Sequence, residues 1–127
     1  MRYLISAALV VSGLIHLMPL VGVLGNERLT ALYGLTFDEP NLSILVRHRA
    51  VLLGMLGLLF LVSAFRPTLQ PLAFFAGFVA VSSFLVLAWL TGEYNAEIGR
   101  VFVADVIALI CLLIGGAAYI YSKFRRT

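Results

Sequence analysis

Charge is what this sequence has least of. Only 12% of its 127 residues are Asp, Glu, Lys or Arg, whereas 62% are hydrophobic. Soluble domains carry about 25% charged and roughly 45–50% apolar residues. The polar residues are too few to cover a water-soluble globule, so the remaining apolar surface needs lipid as its solvent. Cysteine is nearly absent too. Cys111 stands alone, which excludes an intramolecular disulfide and any Cys-x-x-Cys pair, and with them the quinone-reducing disulfide enzymes. There is no His-Glu-x-x-His, no Gly-x-Ser-x-Gly, no Cys/His metal spacing and no phosphate-cradling loop. Neither a metal nor a cofactor is therefore expected. The net charge of +3 comes mostly from arginines at the ends of apolar runs. That pattern reads as membrane topology, not nucleic-acid binding.

What the chain does have is long apolar runs, with a mean hydropathy of +1.07. A hydrocarbon core about 30 Å thick needs roughly 20 helical residues. Four stretches qualify, at about 3–24, 44–65, 71–90 and 101–121. The expected fold is an all-α integral membrane four-helix bundle, one transmembrane domain over residues 1–127. The first run has some marks of a signal peptide, namely Arg2 and small residues near Val23-Leu24-Gly25. It is longer than a signal h-region, so a retained helix is expected.

Orientation follows from lysine and arginine. Arg2, Arg66, Lys123, Arg125 and Arg126 share one side with no acidic neighbour. The opposite side carries Glu27, Arg28, Asp38, Glu39, Arg47, Arg49, Glu93, Glu97 and Arg100. The unopposed basic side should be cytoplasmic, with both termini there. The mixed-charge side then faces out, into the periplasm if the host is a bacterium, and the localisation is the inner membrane. The longest connection, Gly25 to Ser43, holds Leu29, Leu32, Tyr33, Leu35 and Phe37. It is too apolar for a free linker and predicts a short helix around Glu27–Tyr33, then a turn at Asp38-Glu39-Pro40-Asn41.

Ionisable residues inside a span are costly and usually face the bundle interior or a water-filled cavity. His16 in the first span, Arg47, His48 and Arg49 in the second and Asp105 in the fourth all fall in the outer half. Glu93, Tyr94, Asn95 and Arg100 sit at the outer mouth. The cheapest arrangement points these groups at one another, with Asp105 paired to Arg47 or Arg49 and His16 hydrogen-bonded below. Arg47 and Arg49 are about 200° apart around a helix, so only one of them turns inward. The candidate ligand-binding set is His16, Arg47, Arg49, Glu93, Asn95, Arg100 and Asp105. The alternative is structural: a buried Asp–Arg pair fixes helix register, and arginines near a helix end are ordinary anchors. His48, near its helix end, fits the structural reading better. Two histidines on separate helices can also hold a haem, but His16 and His48 differ in depth by about two turns. Small residues, among them Ala50, Gly54, Gly57, Ala73, Gly77, Ala104, Ala108 and Gly115-Gly116, recur at helical spacing and read as packing faces.

The run Ala31-Leu32-Tyr33-Gly34-Leu35, then Pro40, then Arg47-His48-Arg49-Ala50-Val51-Leu52-Leu53-Gly54 resembles small bacterial four-helix membrane proteins of the broad DoxX-like group. The stretches Gly13-Leu14-Ile15-His16-Leu17 and Tyr94-Asn95-Ala96 through Ala104-Asp105 look similar too, so the resemblance spans nearly the whole chain. Some chains of this appearance carry the label phosphopantetheine adenylyltransferase. The soluble nucleotidyltransferases use an α/β fold and a His-x-Gly-His motif, and this sequence has neither. The resemblance implies the fold and adds little about activity.

The leading functional expectation is a membrane protein that binds a small amphipathic ligand, such as a lipid or quinone, or serves as an accessory subunit. Membrane lipid is its expected partner, together with a lipophilic ligand and a homo-oligomeric partner copy. A membrane-embedded enzyme using His16 and Asp105 as acid and base is the alternative. A small proton-coupled transporter is another. Small multidrug exporters have a glutamate in the first helix, where this chain has His16 and no carboxylate.

Overall fold

In a bilayer the backbone of each apolar run has no water to bond, so its N–H and C=O groups must be satisfied within the segment, as a helix does. A computed structural model describes residues 2–20, 25–36 and 39–126. Its elements are α1 (Arg2–Leu17), α2 (Asn26–Tyr33), α3 (Pro40–Phe65), a 3-10 turn (Pro67–Leu69), α4 (Gln70–Thr91) and α5 (Ala96–Arg126). There is no strand among the described residues. Four segments, Arg2–Leu20, Pro40–Phe65, Pro67–Thr91 and Ala96–Arg125, are long and apolar enough to cross a membrane.

These helices form a square, up-down-up-down bundle. α1 packs on α3 and α5, and α4 packs on α5 and α3, while the backbones of the diagonal pairs α1–α4 and α3–α5 make no close approach among the described residues. Leu9, Phe60, Val81 and Leu112, one from each long helix, are fully buried at the centre. Outward-facing positions are as apolar as the inside: Phe65, Phe75, Trp89 and Leu90 are among many large exposed hydrophobics. Such a surface suits lipid, not water. The short helix α2 covers one end of the bundle by packing on α3 and α5. Every carboxylate among the described residues lies toward that end, and Arg2, Arg66, Lys123 and Arg125 lie at the other.

Local chemistry sets the helix ends. Pro40 opens α3 at a position that needs no N–H. Glu39 caps it, accepting from the backbone N–H of Leu42 at 2.8 Å and of Asn41 at 3.1 Å. α3 stops at Arg66, whose extended backbone (φ −128°, ψ 91°) is what the following Pro67 demands. α2 ends on Gly34 at φ 69°, a left-handed conformation that favours glycine. Asn95 caps α5, its Oδ1 accepting from Ile98 N–H at 2.8 Å.

These caps move the boundaries outward from where hydropathy places them. α3 begins at Pro40 and α5 at Ala96, each several residues before the apolar run starts. Of the turn expected at residues 38–41, Pro40 and Asn41 are helical, and Asp38 lies outside the described residues. α5, with 31 residues, is about 46 Å long at about 1.5 Å per residue, well beyond the hydrocarbon thickness. The first run is helical to Leu17 and continues as a 3-10 turn to Leu20. Val21 to Leu24, which include most of the small-residue stretch considered as a cleavage site, lie outside the described residues.

α1 and α3 meet backbone to backbone. A side chain at Gly57 would sit 2.8 Å from the Gly13 carbonyl, and one at Gly13 would sit 2.9 Å from the Gly57 carbonyl. Ser6 Oγ donates across the same seam to the Ala64 carbonyl at 2.7 Å. Gly57→Val should therefore force the helices apart and cost about 1–3 kcal/mol. Gly99→Ala, whose new carbon meets only the Tyr94 ring at 3.7 Å, should be neutral or stabilising. Thermal unfolding of the two variants in detergent distinguishes them, and equal Tm values would contradict the close seam.

Glu39 gives the fold a pH dependence. The bonds from Leu42 N–H, then from Asn41 N–H and the Asn41 amide, hold its carboxyl below the ordinary carboxylate range. The folded value lies below the unfolded one, so this stabilisation is complete at neutral pH and is lost as pH falls through the depressed value. Hydrogen-exchange protection at Leu42 and Ser43 should drop on acidification in the native chain and stay flat in Glu39→Gln. The same acid response in both would refute the cap.

Candidate functional site

The early start of α3 fixes how deep its arginines lie. Arg49 is nine residues beyond Pro40 and Asp105 nine residues beyond Ala96, so both stand about 13 Å along their helices. α3 and α5 are parallel diagonal neighbours that both start at the α2 end. The two residues therefore lie in the half of the bundle nearer α2, where the Arg49 charge acts on Asp105.

Arg49 is the arginine that turns inward. It is half-buried, whereas Arg47 and His48 are exposed. Its Nη1 donates to the Tyr33 phenol oxygen at 2.6 Å. Its guanidinium carbon lies 5.6 Å from the centre of the Tyr33 ring and 5.7 Å from that of Phe84. Both are within cation–π range. Its charge also acts on Asp105 and on His16. Side chains from all five helices thus gather around one guanidinium: His16 from α1, Tyr33 from α2, Phe84 from α4 and Asp105 from α5.

The direct ion pair between Asp105 and an arginine is not formed. Only burial and the Arg49 charge bear on Asp105, with no hydrogen bond among the described residues. The backbones of the helices that carry the two groups stay apart among the described residues, and Arg49 donates to the Tyr33 phenol instead. Nor does His16 bond to either. It is buried, its Nδ1 donates to the Ser12 carbonyl at 2.8 Å, and its ring meets the Phe60 ring edge-on at 5.1 Å. A carbonyl only accepts, so that nitrogen carries the proton. Ser12 is itself fully buried, and its hydroxyl has no partner among the described residues.

Tyr33 reaches Arg49 because α2 is latched to α5. Asn95 Nδ2 donates to the Tyr33 carbonyl at 2.7 Å while its Oδ1 caps α5. The Tyr33 ring packs among Leu32, Val46, Ile98 and Val101. Asn95 therefore acts as cap and latch, beside the group rather than in it. Glu93 and Arg100 are exposed at the mouth. Tyr33 and Phe84 are the two residues that sequence reasoning left out of the candidate set. The apolar character of the 25–43 connection was the signal for Tyr33. No pattern separates Phe84 from its neighbouring aromatics.

A groove of about 300 Å³ opens between α4 and α5 at this end, lined by Phe84, Leu87, Ala88, Thr91, Tyr94 and Ile98 and edged by Glu93. Phe84 is shared: the ring beneath the Arg49 guanidinium is also a wall of the groove. Neither His16 nor Asp105 lines it. Among the described residues no group of three His, Cys, Asp or Glu side chains is placed to hold a metal ion. No family model, curated protein or solved structure matches this chain.

Proposed function

We propose that this chain is a membrane protein that binds an amphipathic molecule with an oxygen-rich or anionic head group at the α2 end. Arg49 anchors the head group, and the α4–α5 groove takes the apolar tail. The observation that carries this reading is the state of Arg49. A guanidinium offers several N–H donors in a rigid fork, and only the Tyr33 phenol accepts from it among the described residues. A half-buried cation with donors to spare is a site for phosphate, carboxylate or quinone oxygens. Asp105 balances its charge at longer range without occupying the fork. The apolar groove that shares Phe84 gives the tail a wall next to the head-group position. Arg2, Arg66, Lys123 and Arg125 at the opposite end support an outward-facing site by the positive-inside rule, periplasmic if the host is a bacterium.

The enzyme alternative draws less support. His16 is tied to its own helix and packed edge-on against Phe60, and it shares no described cavity with Asp105.

Protein purified in mild detergent should carry an acidic or quinone-type amphiphile detectable by mass spectrometry. Arg49→Gln should lower its retention on the order of tenfold or more, the worth of a charge-assisted hydrogen bond. Arg49→Lys should retain an intermediate amount, keeping the charge but not the fork. Equal retention by a folded Arg49→Gln protein would overturn the assignment.

A further inference from the structure

The opposite end of the bundle offers a second candidate site that shares no residue with the first. A cavity of about 400 Å³ lies between the start of α1, the 3-10 turn and the end of α5, lined by Arg2, Thr68, Gln70, Tyr119, Ser122 and Lys123. Arg2 and Lys123 bring positive charge to it from two different helices. Thr68, Ser122 and Tyr119 bring hydroxyls. Gln70 is buried and steadied by a bond from its Nε2 to the Ser63 carbonyl at 3.1 Å. No carboxylate among the described residues lies at this end. Arg2, which also donates to the Tyr3 phenol oxygen at 3.4 Å, and Lys123 therefore line the cavity with no carboxylate beside them among the described residues.

Next to it, an apolar crevice of about 420 Å³ runs down the lipid-facing seam between α4 and α5, lined by Phe74, Phe78, Leu113, Gly116, Ala117 and Tyr119. Tyr119 lines both spaces. Gly116 lines the crevice without a side chain: a single carbon added there would meet Phe78 in ordinary contact at 3.5 Å, so a larger side chain would extend into the slot. A basic, hydroxyl-rich chamber that continues into a narrow apolar slot matches a phosphodiester head group joined to an acyl chain. We infer that this end binds one anionic phospholipid. Its phosphate lies between Arg2 and Lys123, its glycerol region lies at Tyr119, and one acyl chain lies along Gly116 and Ala117.

The test uses the full chain in nanodiscs that contain phosphatidylcholine with a minor fraction of phosphatidylglycerol carrying a diazirine in its acyl chain. After irradiation, label should appear in the 113–120 segment of α5 and the 71–78 segment of α4. Arg2→Gln/Lys123→Gln, two exposed positions, should reduce that labelling on the order of tenfold, given the contribution of each cation near an anionic head group. Gly116→Leu should displace the acyl chain and abolish labelling with the charges intact. Labelled phosphatidylcholine should mark the segment weakly in every variant. Arg49→Gln should leave this labelling unchanged, so the two sites stand or fall separately. Equal labelling by the two lipids in the native chain, or full labelling in the double charge variant, would overturn the inference. Effective competition by glycerophosphoglycerol, the head group without tails, would overturn the role of the crevice.

Discussion

A guanidinium set about 13 Å below the start of a membrane helix has to be met by acceptors and ring faces, because the bilayer supplies none. Arg49 meets this demand with the Tyr33 phenol at 2.6 Å and the faces of Tyr33 and Phe84. Much of the α2 end follows. α2 must fold back over the bundle to deliver Tyr33, and Gly34 must take a left-handed turn to let the chain leave. Asn95 must hold the Tyr33 carbonyl while it caps α5. The depth of Arg49 is itself set by Glu39 and Pro40, which start α3 earlier than its apolar run does.

The square packing explains why the charges gather without pairing. α3 and α5 are diagonal and their backbones stay apart among the described residues, and Arg49 and Asp105 influence each other with no direct bond. Buried ion pairs often recover little more than their desolvation cost. Arg49 donates to the Tyr33 phenol and makes no direct bond to Asp105, the arrangement on which the proposed head-group site rests. The Gly13–Gly57 seam brings α1 in close enough for its buried polar pair, Ser12 and His16, to lie beneath this group. α1 is thus a wall of the bundle, packed on α3 and α5.

Hydropathy alone made the four spans legible, because nothing but a helix satisfies a run of twenty apolar residues in lipid. The short helix after the first span was legible too, since Leu32 and Tyr33 are too apolar for a solvated linker. Helix starts were not, because caps such as Glu39 and Asn95 act on backbone N–H groups that no hydropathy window registers. The inward turn of one arginine followed from helical geometry. That Arg49 would bond a tyrosine rather than Asp105 did not, because it depends on which helices are diagonal, and four antiparallel spans admit several arrangements. The crevice beside Gly116 was hidden for a related reason. Gly115-Gly116 reads as one packing motif, yet Gly115 faces Ala8 across a tight contact while Gly116 faces Phe78 with space to spare.

The central claim is that Arg49 and Tyr33 hold each other inside the bundle. A double-mutant cycle with Tyr33→Phe and Arg49→Met, read by thermal unfolding in detergent, measures that bond directly. A coupling of about 1.5–3 kcal/mol is predicted, the range for a hydrogen bond to a charged group. Strictly additive single and double variants would show that the two side chains do not meet, and the site built around Arg49 would fall with them.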